Sequence, residues 1–250
     1  MYDIIPADTP AANLDRYKLL VIPGWNTMTD ELYRKLCTYV ENGGTLLMTL
    51  GQLRGNIKRN EPMKLHNGGD FSKLFGVKVS GRSPVKITGV KFPQPSSDDG
   101  RYRWGDWGML SDPKFSSNGA YFGGNLVENR ADVLAVCGMG INVGRDEEQF
   151  PVLLAHSLGK GRAFLINSES FPGDPALYDL MRYVLTVLMR GAQPADLQVT
   201  ASERIRYAVY GSSIYVTNTD SDFDGFFHLN GRQYQIKPQQ MLHIERNSRK

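Results

Sequence analysis

Two uninterrupted apolar runs, Lys18 to Ile22 and Thr45 to Thr49, bracket a segment of helical periodicity. Neither run alternates apolar with polar positions, which is the pattern of strands buried on both faces in a parallel sheet. Between them, Thr29 and Asp30 offer a helix start. Leu32, Leu36, Tyr39 and Val40 then fall at i, i+4, i+7 and i+8, so one face of the helix is apolar. Gly43-Gly44 supplies a left-handed stop. Strand, helix and strand at this spacing predict one right-handed βαβ crossover over Tyr17 to Leu50.

The flanking pattern is less regular. Asp3-Ile4-Ile5 reads as the end of a short strand, an abrupt opening for a sheet that would ordinarily carry a further strand and helix before it. Gly51 to Gly69 is a polar, basic stretch with Arg54, Lys58, Arg59 and Lys64, placed where open α/β sheets carry their ligand crevices. A solvated loop is the favoured reading of it. Asp70 to Phe75 predicts one helical turn closed by Gly76. Residues 77 to 130 read as an irregular β-rich insertion with short strands at Val77–Val79 and Val85–Val90 and a breaker cluster at Pro93 to Gly100.

Farther on, Ala131–Cys137, Val152–His156 and Ala163–Ile166 are strands, the last two joined by a glycine-bearing hairpin turn. Asp174-Pro175 starts a helix whose buried face is Leu177, Met181, Val184, Leu185 and Leu188. After Pro194 the pattern alternates with period two, and Asn230-Gly231 is a strong hairpin signal. The expected architecture is therefore α/β, with a mostly parallel sheet and flanking helices over residues 1–194. A small antiparallel β-domain follows over residues 195–250.

Composition narrows the classes. Of 250 residues, 41% are hydrophobic and 22% charged, and the net charge is +3. Those values suit a packed core and lack the basic stripe a nucleic-acid surface needs. No apolar run approaches the roughly 18 residues of a membrane helix, and no signal-peptide pattern opens the chain. The two cysteines, Cys37 and Cys137, make neither a disulfide framework nor a metal set, and His66, His156, His228 and His243 are scattered. Neither a metal nor a cofactor is expected. The glycines at 138–144 invite a dinucleotide reading, but Arg145-Asp146-Glu147-Glu148 follows them where a helix should open, which argues against it.

One stretch invites a binding role. Tyr102, Trp104, Asp106 and Trp107 lie in Arg101–Trp107, with Tyr121-Phe122 beyond. Aromatic faces beside charged groups can take the apolar face and hydroxyls of a sugar. A satellite core of the insertion is the alternative, and the favoured one.

The run YKLLVIPGW, the helix after it and VENGGTLLMT resemble the class I glutamine amidotransferase-like fold, a Rossmann-like (flavodoxin-like) arrangement. More closely, together with Leu74–Val77, Ala131–Ala135, Pro151–Leu154 and Gly159–Arg162, they resemble the trimerisation domain of bacterial β-galactosidases. The resemblance covers roughly residues 1 to 191, and the all-β tail is similar to the small C-terminal domain of such enzymes. An amidotransferase of this type needs a cysteine on the turn after the second strand, with a histidine base and an acid. The resemblance places Thr49 at the nucleophile position and Asn167-Ser168-Glu169 at the His-x-Glu, so only the acid remains. It implies a non-catalytic accessory or oligomerisation region of a glycoside hydrolase, a C-terminal part whose catalytic barrel lies upstream in the same polypeptide. The implied partners are that barrel and further copies of the chain. A stand-alone carbohydrate-binding module and a divergent enzyme using Thr49 or Cys137 stay open as alternatives.

Overall fold

The computed structural model describes residues 3–24, 27–56, 61–62, 64–92, 114–138, 149–193 and 197–245. It divides into two compact units, Ala7–Ala192 and Met1–Pro6 with Gln193–Lys250.

In the larger unit, a short helix α1 (Ala11–Leu14) precedes β1 (Leu19–Val21), α2 (Asp30–Glu41) and β2 (Thr45–Thr49). The expected crossover is present, since β1 and β2 pair in parallel with Leu19 opposite Thr45. α2 starts where the sequence predicts. The Thr29 hydroxyl accepts from the Leu32 N–H at 3.2 Å, a cap whose removal costs about 1 kcal/mol. Asp30 and Glu31 in its first turn favour the helix dipole. Leu36, Cys37, Tyr39 and Val40 are buried, and Gly43 turns the chain back at φ 116°. All five residues of β2 are buried, as two-sided packing requires.

The chain then forms β3 (Asp70–Phe71), the helical turn α3 (Ser72–Phe75), the long strands β4 (Val77–Lys91) and β5 (Lys114–Asn129), then β6 (Asp132–Cys137), β7 (Pro151–Leu158) and β8 (Gly161–Ile166). A 3-10 turn begun by Asp174 and Pro175 leads into α4 (Tyr178–Ala192). The eight strands make one mixed sheet in the order β1-β2-β8-β7-β6-β4-β3, with β5 on β4. Pairing is parallel across β1-β2-β8. From β8 to β3, and between β4 and β5, it is antiparallel. The parallel part carries the βαβ pattern and the rest continues the sheet by antiparallel pairing. α4 buries Leu180, Met181, Tyr183, Val184, Val187 and Leu188, which join Leu153, Phe164 and Ile166 in the main core.

Two local expectations are corrected. Asp3–Ile5 forms no strand, and Ile4 is 90% exposed. The separate strands read at 77–79 and 85–90 are one strand of 15 residues. Register shifts within its pairing to β5 absorb the Gly81–Pro84 interruption that broke the sequence pattern. Among the described residues, Ile87, Val90, Phe92 and Tyr121 belong to the main core.

The smaller unit contains β9 (Val199–Ala201), β10 (Ile205–Tyr210), β11 (Ser213–Asn218), β12 (Gly225–Leu229), β13 (Arg232–Ile236) and β14 (Met241–Glu245). They form two three-stranded antiparallel sheets, β10-β11-β14 and β13-β12-β9. Asn230 and Gly231 turn between β12 and β13 with φ 49° and 80°, as a two-residue hairpin of this sequence should. Phe227, Ile214, Val216 and Ile236 are central to its core. Among the described residues no helix is long and apolar enough to cross a membrane.

Candidate functional site

The carboxyl ends of β2 and β8 lie side by side, with Thr49 opposite Ile166 in the parallel register. Asn167, Ser168 and Glu169 follow directly, so the three positions singled out from the sequence, Thr49, Asn167 and Glu169, are gathered at one end of the sheet. Each is held by a different set of bonds.

Thr49 is wholly buried. Its backbone is ordinary extended chain at φ −103°, ψ 157°, and it leads into a 3-10 turn over Leu50–Leu53. No strained elbow presents its hydroxyl to a substrate. Its N–H donates to Gln52 Oε1 at 2.8 Å. The Gln52 amide in turn donates to the carbonyls of Ile22 and Gly24 beyond β1. This buried glutamine ties the ends of β1 and β2 together.

Asn167 is also wholly buried. Its Oδ1 accepts from Gly124 N–H at 2.8 Å, and its Nδ2 donates to Gly124 O at 3.2 Å and Pro151 O at 3.0 Å. The side chain stitches β8 to β5 and β7. A histidine, with a larger ring and a different donor set, would not reproduce those three bonds. Close backbone approach completes the seam. Gly51 N–H donates to Ser168 O at 2.9 Å, and a Cβ on Gly51 would stand 2.3 Å from Glu169 O.

Glu169 makes a different set of bonds. Its N–H donates to Phe122 O at 2.9 Å, and its carboxylate accepts from Arg82 Nε at 2.7 Å and from Arg82 Nη2. Arg82 also lies over the Phe122 ring, 4.9 Å from its centre. The Glu169 carboxylate raises the guanidinium pKa further. These residues border an open cleft of about 600 Å³. Ala120, Tyr121 and Phe122 of β5 line it, as do Arg82 of β4 and Glu169 and Ser170. Arg54, Glu61 and Pro62 also line it. Arg54 is buried, and its Nη2 makes a long 3.4 Å bond to Glu61 O. The basic stretch read as a solvated loop thus supplies part of the lining. Arg82 was not singled out from the sequence, because it sits in the Gly81–Pro84 break between apparent strands. The offset of an arginine inside a β-alternation was the one signal available.

Among the described residues no histidine lines the cleft. His66 faces Asp30 at 3.3 Å, and burial holds the His156 imidazole below its ordinary pKa, against an opposing pull from Asp132. Cys37 and Cys137 are buried. Burial pushes the Cys37 thiol up to about 11, away from thiolate chemistry. Cys137 lies wholly buried in β6 opposite Val90. The stretch with Tyr102, Trp104, Asp106 and Trp107 lies outside the described residues.

A mixed α/β unit whose strand-end residues are engaged in holding the strands together defines a scaffold. The family comparison gives it a place: a model described as the beta-galactosidase trimerisation domain matches residues 2–187, and the chain belongs to that family. Solved structures share the fold. A beta-galactosidase from Rahnella sp. R3 aligns with a TM-score of 0.60 at 16% identity, over 97% of this chain and 34% of its own. A GH42 beta-galactosidase from G. stearothermophilus gives 0.59 at 17%, over 93% and 32%. The beta-galactosidase from Bacillus circulans sp. alkalophilus gives 0.56 at 17%, over 92% and 33%. The chain spans about a third of the length of these enzymes. A search of curated proteins finds no match.

Proposed function

We propose that this chain is the non-catalytic assembly region of a GH42-type glycoside hydrolase, joining copies into a trimer and carrying a catalytic barrel that cleaves β-galactosides. The family match over residues 2–187 carries the reading. The burial of the Thr49 hydroxyl and the three backbone bonds of the Asn167 side chain support it, since a nucleophile and a base must reach a substrate. In this reading the larger unit is a Rossmann-like, amidotransferase-type scaffold, and Thr49, Asn167 and Glu169 are the degenerate remains of its catalytic positions. Residues 1–194 would form that domain and 195–250 its β-domain companion.

Size-exclusion chromatography with light scattering tests the assembly role. The expected mass is three times the 28.0 kDa protomer. A strict monomer, with the chain alone and with a catalytic barrel supplied, would refute it. Ammonia release from glutamine tests the loss of chemistry: none is expected, and a release that disappears in Thr49→Ala would show an active centre after all.

A further inference from the structure

We propose that Asn118 is a site of covalent modification, where the side-chain amide closes on the backbone nitrogen of Gly119 and the ring opens with water as isoaspartate. This goes beyond the assembly role and does not depend on it.

Four Asn-Gly pairs occur in the chain, at 42–43, 67–68, 118–119 and 230–231. In each, the Gly nitrogen can attack the Asn Cγ with no following Cβ to hinder it. A new N–Cγ bond closes a succinimide ring, and the Cγ–Nδ2 bond breaks to release ammonia, which takes the proton from the Gly nitrogen. Solvent water then adds to either ring carbonyl. One opening gives aspartate. The other gives isoaspartate, with the main chain rerouted through the former side chain. Water is the sole co-reactant, so the fold selects among the pairs by what holds each one still.

Three of the pairs are held. At Asn42 the Gly43 N–H donates to Val40 O at 2.9 Å, and the side-chain Nδ2 donates to Asp15 Oδ2 at 3.1 Å. At Asn230 the side-chain Oδ1 accepts from Gln198 N–H at 2.9 Å, while the backbone N–H donates to Gln198 O at 2.8 Å. At Asn67 the side-chain Nδ2 donates to Asp70 O at 3.3 Å, and the Asp70 N–H donates to Asn67 O. Asn118 lacks such restraints. Its side chain is exposed, and among the described residues it makes no hydrogen bond. Its backbone is also outside the regular ladder. Pairing between β4 and β5 jumps from Gly89–Ser116 to Ile87–Tyr121, so one β4 residue, Thr88, faces four on β5, Ser117 to Ala120. A bulge leaves its extra residues unpaired, free to turn the Gly119 nitrogen toward Cγ.

The position also reaches its neighbours. A Cβ on Gly119 would stand 3.9 Å from that of Ala176, in the turn that leads into α4. Ala120, Tyr121 and Phe122, which follow, line the cleft. Isoaspartate lengthens the main chain by a methylene just before that wall and sets a new carboxylate beside it.

Incubating the folded full chain in mildly alkaline buffer and following its tryptic peptides by mass spectrometry tests this. The four pairs fall on separate peptides, 36–54, 65–73, 115–130 and 207–232. The amide-to-acid mass gain should accumulate at Asn118 about fivefold or more faster than at the other three, the margin expected when one hydrogen bond has to open first. Most of the product should resist endoproteinase Asp-N, which cuts before aspartate and not before isoaspartate. In urea, where nothing holds any pair, the four rates should converge. Asn118→Gln, whose longer side chain closes a ring far more slowly, should remove the first acidic species seen on anion exchange. The proposal fails if Asn118 keeps its amide while another pair loses it, or if the four rates are already equal in the folded chain. It fails too if the product is aspartate alone, or if the acidic species persists in Asn118→Gln.

Discussion

Asn167 and Glu169 are separated by one residue, yet they serve opposite regions of the molecule. Asn167 lies in the seam beneath the strand ends, where every polar atom of its side chain is spent on the backbone of β5 and β7. Glu169 lies at the open cleft, where one oxygen is tied to Arg82 and the other is not. A buried amide with three backbone partners is a structural rivet, because moving it strands polar groups away from water. A carboxylate at a cleft edge meets solvent and does not carry that penalty. The same end of one sheet therefore carries a buried polar seam and, beside it, an open charged edge.

That contrast can be broken first in the seam. Asn167→Ala should destabilise the chain by about 3 kcal/mol, as the Gly124 and Pro151 backbone groups are left buried without partners. Urea unfolding would measure it, and a loss below about 1 kcal/mol would remove Asn167 from the structural role. Gly51→Ala should lose about 2 to 3 kcal/mol by thermal or urea unfolding, because the new methyl meets the Glu169 carbonyl and backbone cannot swing aside as a side chain can. The cleft should answer differently. Arg82→Ala should change stability by less than about 1 kcal/mol, since the arginine side of the pair is well solvated. A loss as large as that of Asn167→Ala would mean the cleft is part of the seam.

The smallest effect lies outside both regions and calibrates them. His156 is held neutral by burial, its folded pKa below the ordinary imidazole value. The unfolded chain therefore binds the proton at higher pH than the folded one, so stability rises with pH across that window. The contribution is full above the ordinary value of about 6.5 and is lost as pH falls through the lower folded value. His156→Gln should flatten the acid side of a melting-temperature profile between about pH 7 and about pH 5. An unchanged profile would assign the slope to other groups.

Much of the fold was legible along the chain. The cap at Thr29, the buried face of α2, the run Thr45–Thr49 and the Asn230-Gly231 turn are short-range patterns, and they stand where such patterns put them. The site was legible only in part. Thr49, Asn167 and Glu169 could be singled out through a family resemblance, but not what each one touches. Arg82 and Glu169 are 87 positions apart, and Asn167 and Gly124 are 43 apart. Nothing in local spacing links such pairs.

The sequence by itself determined the identity of the elements: where a helix starts, which strands are buried on both faces, where a hairpin turns. Those outcomes follow from side-chain periodicity and backbone preference within a few residues. Only the tertiary structure decided that β8 lies between β2 and β7, and that a hairpin read as an insertion is continuous with the main sheet. It alone brought Arg82 onto Glu169. Sheet order is set by which buried surfaces and backbone groups satisfy one another across the whole chain, and that long-range choice is not written in any one stretch of it.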